Sequence, residues 1–283
     1  MNFQQLRSVR EAVRQDFNLT DVSESLHTSQ PGVSRQIREL EEEVGVDIFV
    51  RSGKRLIGLT PPGELILPLV EQILQCADNI RHAGAEYADS RTGVLSIAAT
   101  HSQARYALPP VIKEFRQRYP DVVLHLHQGS PKQVSEMLLE GEADIGVATE
   151  AVADYPGLLN LPCYRWSHSI IVPQGHPLSA VEGGISLSQL SRYPIITYGR
   201  GYTGRAHIDE AFARAGIVPD IVMTAMDADV IKTYVELELG VGIVAAVACD
   251  AERDTRLCAI DARHLFEINL TRLAIRRGAW LRG

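Results

Sequence analysis

The stretch that decides the reading is "TSQPGVSRQIREL", residues 28–40: it carries two arginines, Arg35 and Arg38, and no acid before Glu39, in a chain whose formal net charge is -7. Val33, Ile37, Leu40 and Val44 step by four, three and four residues, which puts them on one buried stripe of a helix. Arg35 and Arg38 then face the other way, with Ser34 on the flank. His27, Thr28 and Ser29 form a polar turn before it, and Pro31 falls in the first turn, where its missing N–H costs nothing. The acids Glu39, Glu41, Glu42 and Glu43 lie in later turns, away from a phosphate that approaches the N-terminal end. A helix with a cationic, hydroxyl-rich start suits a major groove, because DNA readers lay the first turns of the recognition helix against base edges and phosphates. Taken alone it is more simply an amphipathic helix with solvated arginines, so its neighbours decide.

Before it, Asn2 can cap a helix with apolar positions Phe3, Leu6, Val9 and Val13, and Thr20 can cap a second with Val22 and Leu26 inward. After it, "FVRSGKRLIGLT" predicts a two-stranded hairpin turning at Ser52 and Gly53, with Arg51, Lys54 and Arg55 near its tip. Three helices and a basic hairpin make a winged helix-turn-helix over residues 1–59. From Thr60, "TPPGELILPLVEQILQCADNIRHAGAEYADS" starts with a capping threonine and two prolines suited to a helix entrance. Ile66, Val70, Ile73, Ala77, Ile80, Gly84 and Tyr87 alternate four and three apart, a heptad seam that reads as a linker and dimerisation helix over 60–90. Pro68 and Gly84 weaken that seam, and an ordinary core helix is the alternative. A dimer would present two recognition helices to a two-fold DNA site.

At 283 residues the chain exceeds what one core usually holds. With 45% hydrophobic and 22% charged residues it is ordinary for a globular protein. The first 60 residues carry eight Lys/Arg against nine Asp/Glu, a net of -1, which leaves -6 for the rest; the local clustering of Arg35, Arg38, Arg51, Lys54 and Arg55 matters more than the total. Cys76, Cys163, Cys249 and Cys258 form no CxxC pair, so neither a zinc site nor a redox motif is indicated, and they read as reduced thiols in a cytoplasmic protein. Charges run throughout the N-terminal helix, and nowhere are there about 18 consecutive apolar residues, so the expectation is no export and no membrane partner.

From Gly93 the pattern becomes strand, helix, strand: "VLSIAAT", a helix through Val111, Ile112 and Phe115, "VVLHLHQ", a helix capped at Ser130, then "ADIGVAT". A second α/β unit follows, with strands at "PIITYG", "DIVMTAM" and "VGIVAAVA" and helices through Phe212 and Val235, and "EINLTRLAIRRGAW" returns as a strand to the first. The predicted class is α/β, with largely parallel sheets in an effector domain over 91–283, its first subdomain at about 91–161 and 267–283 and its second at about 162–266. Open α/β sheets bind ligands beyond the carboxyl ends of their strands. There the chain places Thr100, His101, Ser102 and Gln103, then Thr149, then the loop "GRGYTGR" from Gly199 to Arg205. Small hydroxyls and amides beside helix starts favour a small polar or anionic ligand, although any one of them alone is more simply a cap or turn.

Signals for catalysis are weak. "GVGIVA" at Gly240–Ala245 matches a loose dinucleotide fingerprint, but a helical segment precedes it and a strand follows, the reverse of the required order, so Gly240 reads as a helix end. His125 and His127 share a strand face without a third metal ligand at a useful spacing. Ser102 beside His101 lies in no nucleophile elbow. No enzyme activity, cofactor or metal is expected.

On "TSQPGVSRQIRELEEEVGVDIFVR", the following "LTPPG" and the long helix leading into a two-part domain, the sequence resembles LysR-type transcriptional regulators over essentially its whole length. "ATHSQARYALP", "GEADIGVATE" and "YTGR" look most like the branch controlling cysteine biosynthesis and sulfur assimilation. The resemblance implies an effector domain built like periplasmic solute-binding proteins, assembly as a homodimer or homotetramer, promoter DNA as partner, and RNA polymerase as a further one. It implies DNA contacts from Thr28, Ser29, Gln30, Pro31, Ser34, Arg35, Arg38, Arg51, Lys54 and Arg55. It also implies an effector site at Thr100, Ser102, Gln103, Thr149, Thr203 and Trp166, taking acetylated serine, sulfate or a related sulfur anion. Two departures stand out: Ser102 occupies a position where the branch usually has threonine, which keeps the hydroxyl and loses a methyl contact, and relatives continue in helical sequence past the position of Gly283.

Overall fold

A computed structural model describes residues 1–88, 92–202 and 204–280. The chain divides into two compact units, 1–88 with Trp280 and 92–279, so Trp280 groups with the first unit and not, as expected, with the effector domain.

In the first unit α1 (Phe3–Arg14), α2 (Leu19–Ser25) and α3 (Gln30–Val44) are followed by the hairpin β1 (Phe49–Ser52) and β2 (Arg55–Leu59) and by α4 (Pro61–Ala88). Asn2 caps α1 by accepting from the N–H groups of Gln4 and Gln5, while the Gln5 side chain accepts from the Asn2 N–H, a reciprocal capping box. The cap of α2 is Asn18, whose carbonyl oxygen accepts from the Thr20 N–H, so the helix begins two residues earlier than Thr20 suggested. Val33, Ile37 and Leu40 of α3 are buried with Leu6, Val9, Val22, Phe49 and Val70, each contributing roughly 1.5–3 kcal/mol of transfer free energy. Val44 is exposed, and Glu41 takes the last place on the buried stripe. Its carboxylate accepts from the N–H groups of Ile48 at 2.8 Å and Phe49 at 3.1 Å and from Arg51 at 2.6 Å. A step of four from Ile37 thus selects a charged residue that the segment after the helix needs as an acceptor. The hairpin turns at Gly53 and Lys54, one residue later than predicted.

Thr60 caps α4, its hydroxyl oxygen accepting from the Gly63 N–H. The expected seam splits: Val70 and Leu74 are buried in the core with Ile66 packed against it, whereas Leu65, Leu69, Ile73 and Ile80 are exposed. The exposed apolar stripe is therefore offset by one residue from the predicted one in its first two turns. The side chain of Tyr87 lies outside the described residues.

The second unit holds two five-stranded sheets. In chain order its elements are β3 (Gly93–Ala99), α5 (Leu108–Arg118), β4 (Val122–Gln128), α6 (Pro131–Glu140), β5 (Ile145–Ala148), β6 (Leu158–Trp166), β7 (His168–Pro173) and the single turn α7 (Leu187–Leu190). Then follow β8 (Ile195–Tyr198), α8 (Arg205–Arg214), β9 (Ile221–Ala225), α9 (Ala228–Glu236), β10 (Val241–Ala245), β11 (Leu257–Asp261) and β12 (Asn269–Arg276). Lobe I has strand order β4-β3-β5-β12-β6 and lobe II β11-β7-β10-β8-β9. Each contains three parallel strands, flanked by two that join antiparallel, so the sheets are mixed where parallel ones were expected. The chain changes lobes at Ser167, between β6 and β7, and between β11 and β12. β12 does return to the first sheet, against β5 and β6.

The helix expected through Val111, Ile112 and Phe115 forms as α5, preceded by a π-helical turn at Gln103–Ala107, and none of its residues is fully buried. One local expectation fails. The helix α9 ends at Glu236 with Leu237 as its C-cap, and Glu238 takes the left-handed conformation at φ 59°; Gly240 does not end it. A Cβ on Gly240 would stand 2.6 Å from the Pro194 carbonyl oxygen, so glycine permits the close approach of two chain segments there. β10 follows directly, which excludes the strand-turn-helix order of a dinucleotide loop.

Candidate functional site

Two groups of polar residues carry the chemistry. The first is the start of α3 with the hairpin. Ser29 caps α3, accepting from the Gly32 N–H at 3.2 Å, and Pro31 sits in the first turn. Thr28, Ser29, Gln30, Pro31, Arg35 and Arg38 are exposed and Ser34 is half-buried. Arg35 Nε donates to Glu39 Oε1 at 2.6 Å, and Gln5 Nε2 donates to the other oxygen. These bonds, Arg35 first, hold the Glu39 carboxyl below its usual range and raise the Arg35 guanidinium. The acid expected to stay clear of the helix start thus reaches back four residues, and Arg35 must exchange this partner for any other anion. Lys54 and Arg55 are exposed at the hairpin. Arg51 differs: it is bound by buried Glu41, with Asp47 3.9 Å away.

The second group lies where the chain crosses between lobes. After β3, the Thr100 N–H donates to the Val147 carbonyl, which ties the segment to β5 and so to Thr149 at its end. Thr100, Ser102, Gln103, Thr149 and Trp166 are all buried. Gln103 is fixed at both ends of its amide: its oxygen accepts from the Tyr164 hydroxyl and its nitrogen donates to Thr271 Oγ1 at 3.2 Å. Trp166 Nε1 donates to the same Thr271 oxygen at 3.1 Å. The register of β6 and β12 sets Thr271 opposite Tyr164 and Asn269 opposite Trp166. Burial raises the Tyr164 phenol, opposed by Thr271 and Gln103.

Lobe II meets this segment through Tyr198, at the end of β8. Burial pushes its phenol up to about 12, while the Ala245 N–H and the Ser102 side chain pull the other way. The Thr100 hydroxyl is buried and has no hydrogen-bond partner among the described residues; such a group costs about 1–3 kcal/mol unless something else supplies the bond. The structure therefore brings Thr100, Ser102, Gln103 and Trp166 together, with Thr149 at the neighbouring strand end. Thr203 lies outside the described residues. Tyr164, Thr271, Tyr198 and Asn269 were missed by the sequence reading. The available signal for Thr271 and Asn269 was two polar residues at alternate positions where a strand begins.

A further polar cluster lies alongside. His101, Asp227 and Asp229 have ligand atoms within 4.8 Å of one another. Both Asp229 oxygens are already engaged, by the Tyr106 hydroxyl at 2.6 Å and Arg105 Nε at 3.2 Å, and Asp227 caps α9. The cluster is an ion-pair seam from the 101–106 segment to α9.

Residues 3–64 match the family described as "Bacterial regulatory helix-turn-helix protein, lysR family" and residues 88–282 match "LysR substrate binding domain". The chain belongs to the LysR family of transcriptional regulators. Among its relatives is the HTH-type transcriptional regulator SsuR of Burkholderia cenocepacia, 56% identical over all of this chain and 91% of that one. Another is the HTH-type transcriptional regulator CysB of the same organism, 53% identical over all of this chain and 90% of that one. The crystal structure of the cofactor-binding domain of the Cbl transcriptional regulator superposes with a TM-score of 0.65 at 47% identity, covering 68% of this chain and 84% of that domain. In this LysR-family regulator, then, the winged unit is the helix-turn-helix module and the two-lobed unit the substrate-binding domain. No helix among the described residues is long and apolar enough to cross a membrane.

Proposed function

We propose that this LysR-family protein regulates genes of sulfur assimilation and cysteine biosynthesis, gripping promoter DNA through α3 and the hairpin and reading a small effector between its lobes. The effector is acetylated serine, sulfate or a related sulfur anion. The observation that carries the reading is the Thr100–Gln103 segment: a buried, unpartnered hydroxyl at Thr100 beside Ser102 and a Gln103 amide locked in orientation, all at the crossing between lobes. Buried donors at a strand end suit a small oxyanion. Support for the pathway comes from the likeness to SsuR, CysB and Cbl. In this reading Gln30, Ser34, Arg35 and Arg38 meet bases and backbone, Lys54 and Arg55 meet phosphates, and the protein acts as a homodimer or homotetramer. The exposed stripe Leu65, Leu69, Ile73 and Ile80 supports assembly through α4. The protein acts in the cytoplasm and catalyses no reaction.

Mapping of bound chromosomal DNA with and without cysteine in the medium tests the pathway; targets unrelated to sulfur metabolism would refute it. At the site, Thr100→Val should weaken sulfate and O-acetylserine binding in calorimetry. On DNA, Arg35→Ala should weaken operator binding by about 1–3 kcal/mol, and binding equal to the parent at several salt concentrations would refute the recognition-helix assignment.

A further inference from the structure

We infer that Asn269 is a specificity-determining contact of the effector cleft, taking a ligand that offers both a hydrogen-bond donor and an acceptor over a bare tetrahedral oxyanion. The inference rests on the reading of the cleft given above and deepens it. Asn269 opens β12 at the point where the chain re-enters lobe I, and it is fully buried. Neither its Oδ1 nor its Nδ2 has a hydrogen-bond partner among the described residues. Buried asparagine amides are almost always satisfied, so two idle ends on one side chain call for a partner from outside the protein.

The surroundings say where that partner would sit. Asn269 lies two residues before Thr271, on the same strand face, and opposite Trp166 in the register; Thr271 and Trp166 are bonded to each other and to Gln103. On its other side is the start of α8. A Cβ on Gly204 would stand 2.7 Å from Asn269 Oδ1 and 2.6 Å from His168 Nε2, and Gly204 is left-handed at φ 67°. The amide thus sits between the locked Gln103 network of lobe I and the entrance of an α8 helix that has no side-chain cap. His168, edge-on to Trp166 and Phe266, walls the same spot. An oxyanion could use only the Nδ2 donor, whereas a ligand carrying an ammonium, amide or hydroxyl beside its anionic group uses both ends.

The test is calorimetry of the full chain with two probes, O-acetylserine and sodium sulfate, on the parent and on Asn269→Leu, Asn269→Ser and Thr100→Val. Asn269→Leu should lower O-acetylserine affinity by at least about tenfold and sulfate affinity by less than about threefold, and Asn269→Ser should fall between. Melting of the ligand-free variants supplies the control: loss of an idle amide leaves the melting temperature unchanged or raised. An unchanged affinity ratio in Asn269→Leu, with Thr100→Val weakening both probes, overturns the inference and leaves the cleft assignment standing. So does a lowered melting temperature in both Asn269 variants, since the amide would then be held by the protein itself. If Thr100→Val leaves both affinities at the parent value, or the parent binds neither probe, the cleft assignment falls and the inference with it.

Discussion

Glu41 offers the sharpest test of how the winged unit is held. Glu41→Ala removes the acceptor for two backbone N–H groups, those of Ile48 and Phe49, at a carboxylate only 5% exposed. Each stranded buried donor costs about 1–3 kcal/mol. The Arg51 pair adds no more than about 1 kcal/mol, because the arginine side chain is 29% exposed and partly screened. Taken near the middle of these ranges, the expected loss is about 3–5 kcal/mol of local stability where α3 meets the hairpin. Glu41→Gln keeps an amide oxygen within reach of both N–H groups and loses mainly the charge, so it should cost about 1 kcal/mol.

Hydrogen exchange of the full chain, followed by mass spectrometry, reads this difference. Peptides covering 45–60 should exchange about a hundredfold or more faster in Glu41→Ala and less than about tenfold faster in Glu41→Gln, since 1.4 kcal/mol is a factor of ten. Peptides covering 100–120 supply the internal control. The hairpin would then lose its fixed place beside α3, so operator affinity should fall in the same order. Equal effects of the two variants would refute the acceptor argument, as would parent-like exchange in Glu41→Ala.

Lys54→Ala and Arg55→Ala should each reduce the slope of log affinity against log salt by about one; Arg51→Ala should weaken binding with little change of slope, because Glu41 already neutralises that guanidinium, and a slope change matching Lys54→Ala would contradict this. Leu69→Glu with Ile80→Glu should shift the protein toward monomers in sedimentation, and an unchanged mass would remove α4 from the assembly. At Asp229, burial raises the carboxyl, but Tyr106, Lys232 and Arg105 outweigh it and leave the value lowered. A carboxyl depressed by folding contributes stability that is full above its ordinary value near 4 and is lost as pH falls through the folded value. The stability gap between the parent and Asp229→Asn should therefore hold steady from about pH 7 to 5 and begin to narrow only as pH falls below about 4; a gap that widens on acidification would refute the linkage.

Much of the fold was legible because the period of apolar residues is a local signal. Val33, Ile37 and Leu40 are buried as their spacing required, and Ser130 forms the capping box with Gln133 that its position suggested. The failures share a cause: each depends on what a residue meets outside its own segment. Val44 fits the stripe of α3 by spacing, yet the chain after the helix needs a carboxylate at Glu41 more than another methyl group. In α4 the first two turns serve the winged core, so Val70 cannot also face a second helix.

The candidate site divides along the same line. Thr100, Ser102, Gln103 and Thr149 were visible because they follow β strands directly, where an open sheet exposes chain ends. Thr271 and Asn269 were hidden because their strand pairs with β6 from far along the chain, Thr271 lying 105 residues after Trp166, a juxtaposition that no local pattern encodes. What makes the site polar is that crossing. Where β6 hands over to β7 and the chain returns in β12, neither sheet supplies neighbours on both sides. Side chains there must find partners singly: Gln103, Trp166 and Thr271 find one another, while the Thr100 hydroxyl and the Asn269 amide do not. Idle polar groups are what the proposed effector could use, since a ligand can shift an equilibrium only through bonds the protein has not already made with itself.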